Sequence, residues 1–132
     1  MALKRAGIQS VIVEAHARRD GEVGSYFTVS PNGLDALAAV DALGIALAEG
    51  FATRRNVMRS ANGGVLGDLP LGTPLADGTP ALTMKRSRLT AALVDEAQRR
   101  GIKVDFGRRL TAVETTGSGV VAMFHDGTTE VA

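Results

Sequence analysis

The stretch MALKRAGIQSVIVEA, residues 1–15, decides how the chain is read. Ala2 to Ala6 suit a helix, and Lys4 and Arg5 stand where the negative end of a helix dipole favours cations. Gly7 suits the left-handed turn that ends many helices. Ile8 to Val13 (IQSVIV) is β-branched and mostly apolar, as a parallel strand buried on both faces should be. Glu14 closes the strand. A helix of under two turns is too short to be stable alone. The segment therefore reads as the last turn of a helix feeding a strand that ends on a carboxylate.

The composition narrows the class. The chain has 132 residues, 45% apolar and 22% charged, enough for one domain with a core. A net charge of +1 gives no reason to expect nucleic acid or an anionic membrane as partner. There is no cysteine, so disulfides and thiolate metal sites are excluded, which fits a reducing compartment. No apolar run reaches the roughly 20 residues of a membrane span, and the N-terminal residues are too polar for a signal peptide. A cytoplasmic protein is expected. Aromatic residues are few, so Leu, Val, Ile and Ala must build the core.

Further along, residues 15–25 (AHARRDGEVGS) are polar, with Asp20-Gly21 as a turn signal, and read as a loop. In TVSPNGLDALAAVDALGIAL (28–47), Pro31 marks a helix start, and apolar residues keep helical spacing until Gly44 is expected to stop it. Residues 51–69 carry weak strand signals. Residues 60–80, with Pro70, Pro74 and Pro80, read as irregular loop around a hairpin. SRLTAALVDEAQRRG (87–101) is the strongest helix: Ser87 caps it, Leu89, Ala92, Leu93 and Ala97 form one apolar stripe, and Gly101 ends it. Ile102, Val104 and Phe106 alternate with polar neighbours as a strand. LTAVETT and GVVAMF follow, and Asp126-Gly127 between apolar runs signals a hairpin. There is no internal repeat. The first helix lacks a beginning and the last strand a continuation, so both ends are expected to be cut.

Glu14 is the first candidate for chemistry. In dinucleotide-binding folds an acidic residue at the end of the second strand accepts hydrogen bonds from ribose hydroxyls, and a carboxylate offers only acceptors. The alternative is a solvated charge at a strand end. The same folds carry G-x-G-x-x-G about 20 residues earlier, and no such motif occurs in the chain. Gly63-Gly64 and Gly117-Ser118-Gly119 read as turns. Arg86, in MKRSRL, stands where bidentate donors can meet a phosphate or ribose, against the plain reading of a surface arginine. Arg18 and Arg19, in the loop after Glu14, read as solvated loop charges, with a side facing a cofactor as the other reading. His16 and His125 have no metal-ligand spacing. No G-x-S-x-G supports a hydrolase. Met58, Met84 and Met123 read as core or edge filler.

Four stretches together resemble the flavin-dependent aromatic-hydroxylase family, the single-component FAD monooxygenases similar to para-hydroxybenzoate hydroxylase. They are RAGIQSVIVEA (5–15), GSYFTVSPNGLDALAAVDALGI (24–45), MKRSRLTAALVDEAQRRGIKVDFGRRLTAVE (84–114) and GVVAMFHDGTTEVA (119–132). The resemblance implies an α/β, Rossmann-like FAD-binding domain over residues 1–132. That domain is incomplete: it holds the second parallel strand, helices and the hairpin region, and lacks the first strand and glycine-rich loop. It implies FAD as cofactor, with Glu14 on the adenosine ribose and Arg86, the arginine of R-x-x-L, at the flavin nucleotide. Leu110, in GRRL, would lie with its backbone at the adenine end. In the family, NAD(P)H is the reductant, O2 the oxidant, and a small, aromatic molecule the substrate.

The second glycine-aspartate motif and the substrate-binding region are also absent, so the chain is expected to be partial. Met1 is then an internal methionine taken as a start, or the gene is truncated. Two other readings stay open. One is a related FAD oxidoreductase, a halogenase or reductase. The other is a non-catalytic fragment or interaction module that pairs with a separately encoded half-chain.

Overall fold

The computed structural model describes residues 1–17, 24–117 and 119–131. Arg18, Arg19 and the Asp20-Gly21 turn signal lie outside the described residues. The chain divides into two units, Met1–Gly21 with Glu96–Ala132, and Glu22–Asp95.

In the first unit, α1 (Ala2–Arg5) ends as the sequence leads one to expect. Gly7 has φ +76, its N–H donates to the Lys4 carbonyl, and the Ile8 N–H reaches back to Leu3 at 2.9 Å. This paired closure satisfies carbonyls that the last turn would leave bare. Helix α4 (Arg86–Arg99) ends the same way: Gly101 has φ +77 and the Ile102 N–H donates to Ala97 at 2.9 Å. Ile102 and Ala97 are both buried, the apolar contact that accompanies such an ending. Each helix stop feeds a strand. These strands, β1 (Val11–Glu14) and β7 (Lys103–Phe106), pair in parallel, with Val11 opposite Lys103 and Glu14 opposite Phe106. Lys4 Nζ donates to the Arg100 carbonyl, tying the two stops together.

Strand β1 is shorter than expected, because residues 8–10 are not strand. It is also not buried on both faces: Val11 and Ile12 are 43% and 40% exposed. The reason is that, among the described residues, its sheet has two strands only. Beyond β7, an antiparallel meander of β8 (Leu110–Thr116), β9 (Gly119–Phe124) and β10 (Thr129–Val131) places β9 in the middle. The Asp126-Gly127 turn forms as expected, with Gly127 at φ +80.

The last turn of α4 carries the strongest electrostatic feature. Glu96 takes Arg99 Nη2 and Arg100 Nε on Oε1, both at 2.6 Å, and Arg99 Nε on Oε2 at 2.7 Å. The Arg99 hydrogen bonds, then that of Arg100, hold its carboxyl down from 4.5 to about 2. A carboxylate with a depressed folded-state pKa stabilises fully above its unfolded value and loses that contribution as pH falls through the folded one. Thermal melts from about pH 5 to about pH 2 should therefore show a steeper loss for the native chain than for Glu96→Gln. Equal slopes would remove Glu96 as a source of acid sensitivity.

In the second unit, β2 (Tyr26–Val29), β6 (Leu82–Lys85) and β3 (Phe51–Ala52) form an antiparallel sheet with β6 central. Helices α2 (Pro31–Ala38) and α3 (Leu43–Glu49) precede β3. Leu34, Ala46, Leu82, Met84 and Leu89 make the core, with Phe27, Val29, Leu37 and Leu93 packed around it. Gly50 is required by this packing, since a Cβ there would lie 2.8 Å from Met84 Cε and 3.0 Å from Leu82 Cβ. Strands β4 (Arg55–Arg59) and β5 (Val65–Pro70) form a separate hairpin, with an Arg55–Asp68 ion pair at 2.6 Å.

Two further expectations need correction. The helix after Pro31 ends at Ala38 and is closed by a turn through Asp41, well before Gly44. Asp41 has φ 55, and the Ala42 N–H donates to Leu37 at 2.8 Å. Aspartate tolerates the left-handed region well enough to replace glycine here, and Gly44 lies inside α3. Ser87 does not cap α4, because the helix already begins at Arg86 and the Ser87 hydroxyl is buried with no hydrogen-bond partner. Of the methionines read as core or edge filler, Met84 is core and Met58, 44% exposed, lies on the β4–β5 hairpin.

Candidate functional site

Glu14 stands at the carboxyl end of β1 with its side chain half exposed. Its Oε1 accepts the His16 backbone N–H at 2.8 Å and meets His16 Nδ1 at 2.9 Å. The backbone N–H of His16, followed by its ring, holds the Glu14 carboxyl below the usual carboxylate range. The group is thus an anion at neutral pH. Both of these His16 contacts fall on Oε1.

The loop after β7 braces this strand end. The Arg108 N–H donates to the Glu14 carbonyl at 2.9 Å and the Gly107 N–H to the His16 carbonyl at 3.0 Å. These bonds tie the two strand ends together beyond the last paired residues, and Gly107 makes the turn with φ +75. Arg108 is then pinned from several sides. Its guanidinium lies 4.0 Å over the Phe124 ring, donates to Thr128 Oγ1 at 2.8 Å, and pairs with Glu130 at 3.0 Å and Asp105 at 3.3 Å. Glu130 is the main cause pushing the Arg108 pKa up. Lys103, followed by Arg108, holds Asp105 low. A cation stacked on an aromatic face and held by two carboxylates is a rigid strut.

Leu110 begins β8 opposite Phe124 and is 48% exposed. The neighbouring Arg109 carbonyl accepts the His125 N–H at 2.8 Å. Glu14 and Leu110 thus belong to one unit and flank the loop that Arg108 fixes. Arg86 belongs to the other unit. It opens α4, its N–H donates to the Ser25 carbonyl at 3.2 Å, and its side chain is exposed. Two open grooves, of about 570 Å³ along Gly7–Ser10 and Gly101–Lys103 and about 580 Å³ beside Ser30–Asn32 and Gly72, are not lined by Glu14, Arg86 or Leu110. No metal-holding group of acidic, histidine or cysteine side chains exists among the described residues. No helix among them is long and apolar enough to cross a membrane.

The profile of the FAD binding domain family matches residues 1–132. The chain belongs to this family. The structure is similar to that of a variant of Klebsiella pneumoniae HpxO complexed with FAD, at 28% identity and a TM-score of 0.81 over 99% of this chain. HpxO complexed with FAD and uric acid gives 26% identity and a TM-score of 0.79. For 2-methyl-3-hydroxypyridine-5-carboxylic acid oxygenase, at 22% identity and a TM-score of 0.79, the likeness shows the fold alone. This chain covers 33% of each of these structures, so it spans about a third of their length. No curated protein gives a match. The resemblance of the four sequence stretches to flavin-dependent aromatic hydroxylases stands, as does the α/β FAD-binding fold it implied.

Proposed function

We propose that residues 1–132 form the FAD-binding portion of a flavin-dependent monooxygenase that hydroxylates a small, aromatic substrate with NAD(P)H and O2. Bound FAD would supply the redox chemistry. The observation that carries the reading is Glu14: a charged, half-exposed carboxylate at the end of a parallel strand, with Oε1 held by His16, in a chain matched throughout by the FAD binding domain profile. That donor-free, half-exposed group fits a ribose diol, which needs acceptors. Arg86 would donate to the flavin nucleotide from the start of α4, and the backbone at Leu110 would border the adenine end. Arg108 would keep the Glu14 strand end in place.

The 132 residues contain no G-x-G-x-x-G. They therefore lack the glycine-rich turn whose N–H groups hold a pyrophosphate. The isolated chain is expected to bind FAD weakly and to be inactive. Gel filtration after incubation with FAD should leave far less than one flavin per chain; a stoichiometric flavin in the protein peak would contradict this.

The exposed Val11 and Ile12 favour a second reading for the same strand. Parallel strands are normally flanked on both sides and covered on both faces, and among the described residues β1 pairs with β7 alone. An apolar strand from a complementing half-chain would satisfy its other edge.

A further inference from the structure

We infer that His16 is a positioning residue: it holds Oε1 of Glu14 through two donors so that Oε2 is presented to the vicinal hydroxyls of a nucleoside. The inference rests on reading Glu14 as the ribose ligand. A glutamate at a strand end has several free torsions, and freezing them on binding weakens the complex. Here the His16 backbone N–H and ring Nδ1 converge on the same oxygen at 2.8 and 2.9 Å. The carboxylate is oriented before any ligand arrives.

His16 is itself anchored. Its carbonyl accepts the Gly107 N–H, next to the bond from Arg108 to the Glu14 carbonyl. The ring therefore projects from a backbone tied to the turn after β7 through Gly107. The His16 side chain is 61% exposed. An exposed pair of this kind contributes little to stability, so the contact orders the carboxylate more than it holds the fold. Because an ionised carboxylate only accepts, the neutral ring must carry its proton on Nδ1.

The probe is adenosine compared with 2′,3′-dideoxyadenosine, titrated into the full chain and followed by NMR shifts. Native protein should prefer adenosine by roughly tenfold, the scale of a charge-assisted hydrogen bond. His16→Ala should reduce that preference to under about threefold. His16→Asn, whose amide N–H lies near the place of Nδ1–H, should restore most of it. An undiminished preference in His16→Ala overturns the inference and leaves the ribose reading intact. No preference in the native chain, including failure to bind either nucleoside, overturns the ribose reading itself. A second readout needs no ligand: long-range proton–nitrogen spectra should show neutral His16 as the Nδ1–H tautomer. The Nε2–H tautomer would overturn the inference directly.

Discussion

Leu34→Ala is expected to destabilise the Glu22–Asp95 unit by about 3–4 kcal/mol. Leu34 is fully buried and meets Ala46, Leu82, Met84 and Leu89. Truncation removes its transfer free energy and leaves a cavity that its neighbours fill only in part. Ala46 has no side-chain reach, and Gly50 already lets Met84 and Leu82 approach to the limit. Met84, unbranched and flexible, is the one neighbour able to move inward, which keeps the expected loss below the top of the range. Small domains have only about 5–15 kcal/mol to lose, so the variant should melt well below the native chain. Leu66→Ala, at a residue 72% exposed on the β4–β5 hairpin, is the control and should change stability by under about 0.5 kcal/mol. Urea titration followed by circular dichroism measures both. A Leu34→Ala loss below about 1 kcal/mol would mean that this cluster is not the core.

The parts of the fold legible in the sequence are those fixed by local chemistry. Gly7 and Gly101 end helices because the closing residue must take positive φ, and Asp126-Gly127 turns a hairpin for the same reason. Strands next to these stops could be placed by counting. What was not legible depended on partners far away in sequence. Tyr26–Val29 and Leu82–Lys85 are four-residue strands amid turn signals, and each becomes a strand because the other pairs with it. Asp41 ends α2 in a conformation usually given to glycine, so the search for a glycine pointed to Gly44 instead. The exposure of Val11 and Ile12 follows from how many strands flank β1, which a strand's own composition does not reveal.

The candidate site divides in the same way. Glu14 was visible as a carboxylate closing an apolar strand, and Arg86 as the arginine of R-x-x-L. The grip of His16 on Glu14 was not, although the two are only two residues apart, because His16 is held by a backbone bond from Gly107, far away in sequence. Nor was the role of Arg108. Its partners come from β7, β9, the Asp126-Gly127 turn and β10, and only the meander brings Phe124, Thr128 and Glu130 to one guanidinium. The GRR in GRRL was the available signal, and Leu110 beside it drew the attention.

Glu14→Gln should have the largest functional effect. The substitution keeps the size of the side chain and replaces an anionic acceptor pair with a neutral amide that has one acceptor. His16 holds one carboxylate oxygen and the ribose hydroxyls meet the other, so a single acceptor cannot serve both. One lost charge-assisted hydrogen bond weakens binding by roughly ten- to a hundredfold. The amide N–H would also face the donors of His16 or of the ribose. Because Glu14 is half exposed, the fold should tolerate the change. The isolated chain is expected to release FAD too fast for gel filtration, which records only slow release, to show the loss, although NMR titration still reads fast, weak binding. A chimera in which residues 1–132 replace the matched third of HpxO supplies the rest of the cofactor site. The deciding measurement is flavin retained per chain after gel filtration of that chimera. The account predicts close to one FAD per chain with Glu14 in place and a large loss with Glu14→Gln. Equal flavin retention in the two proteins, or a folded chimera that retains none, would contradict it.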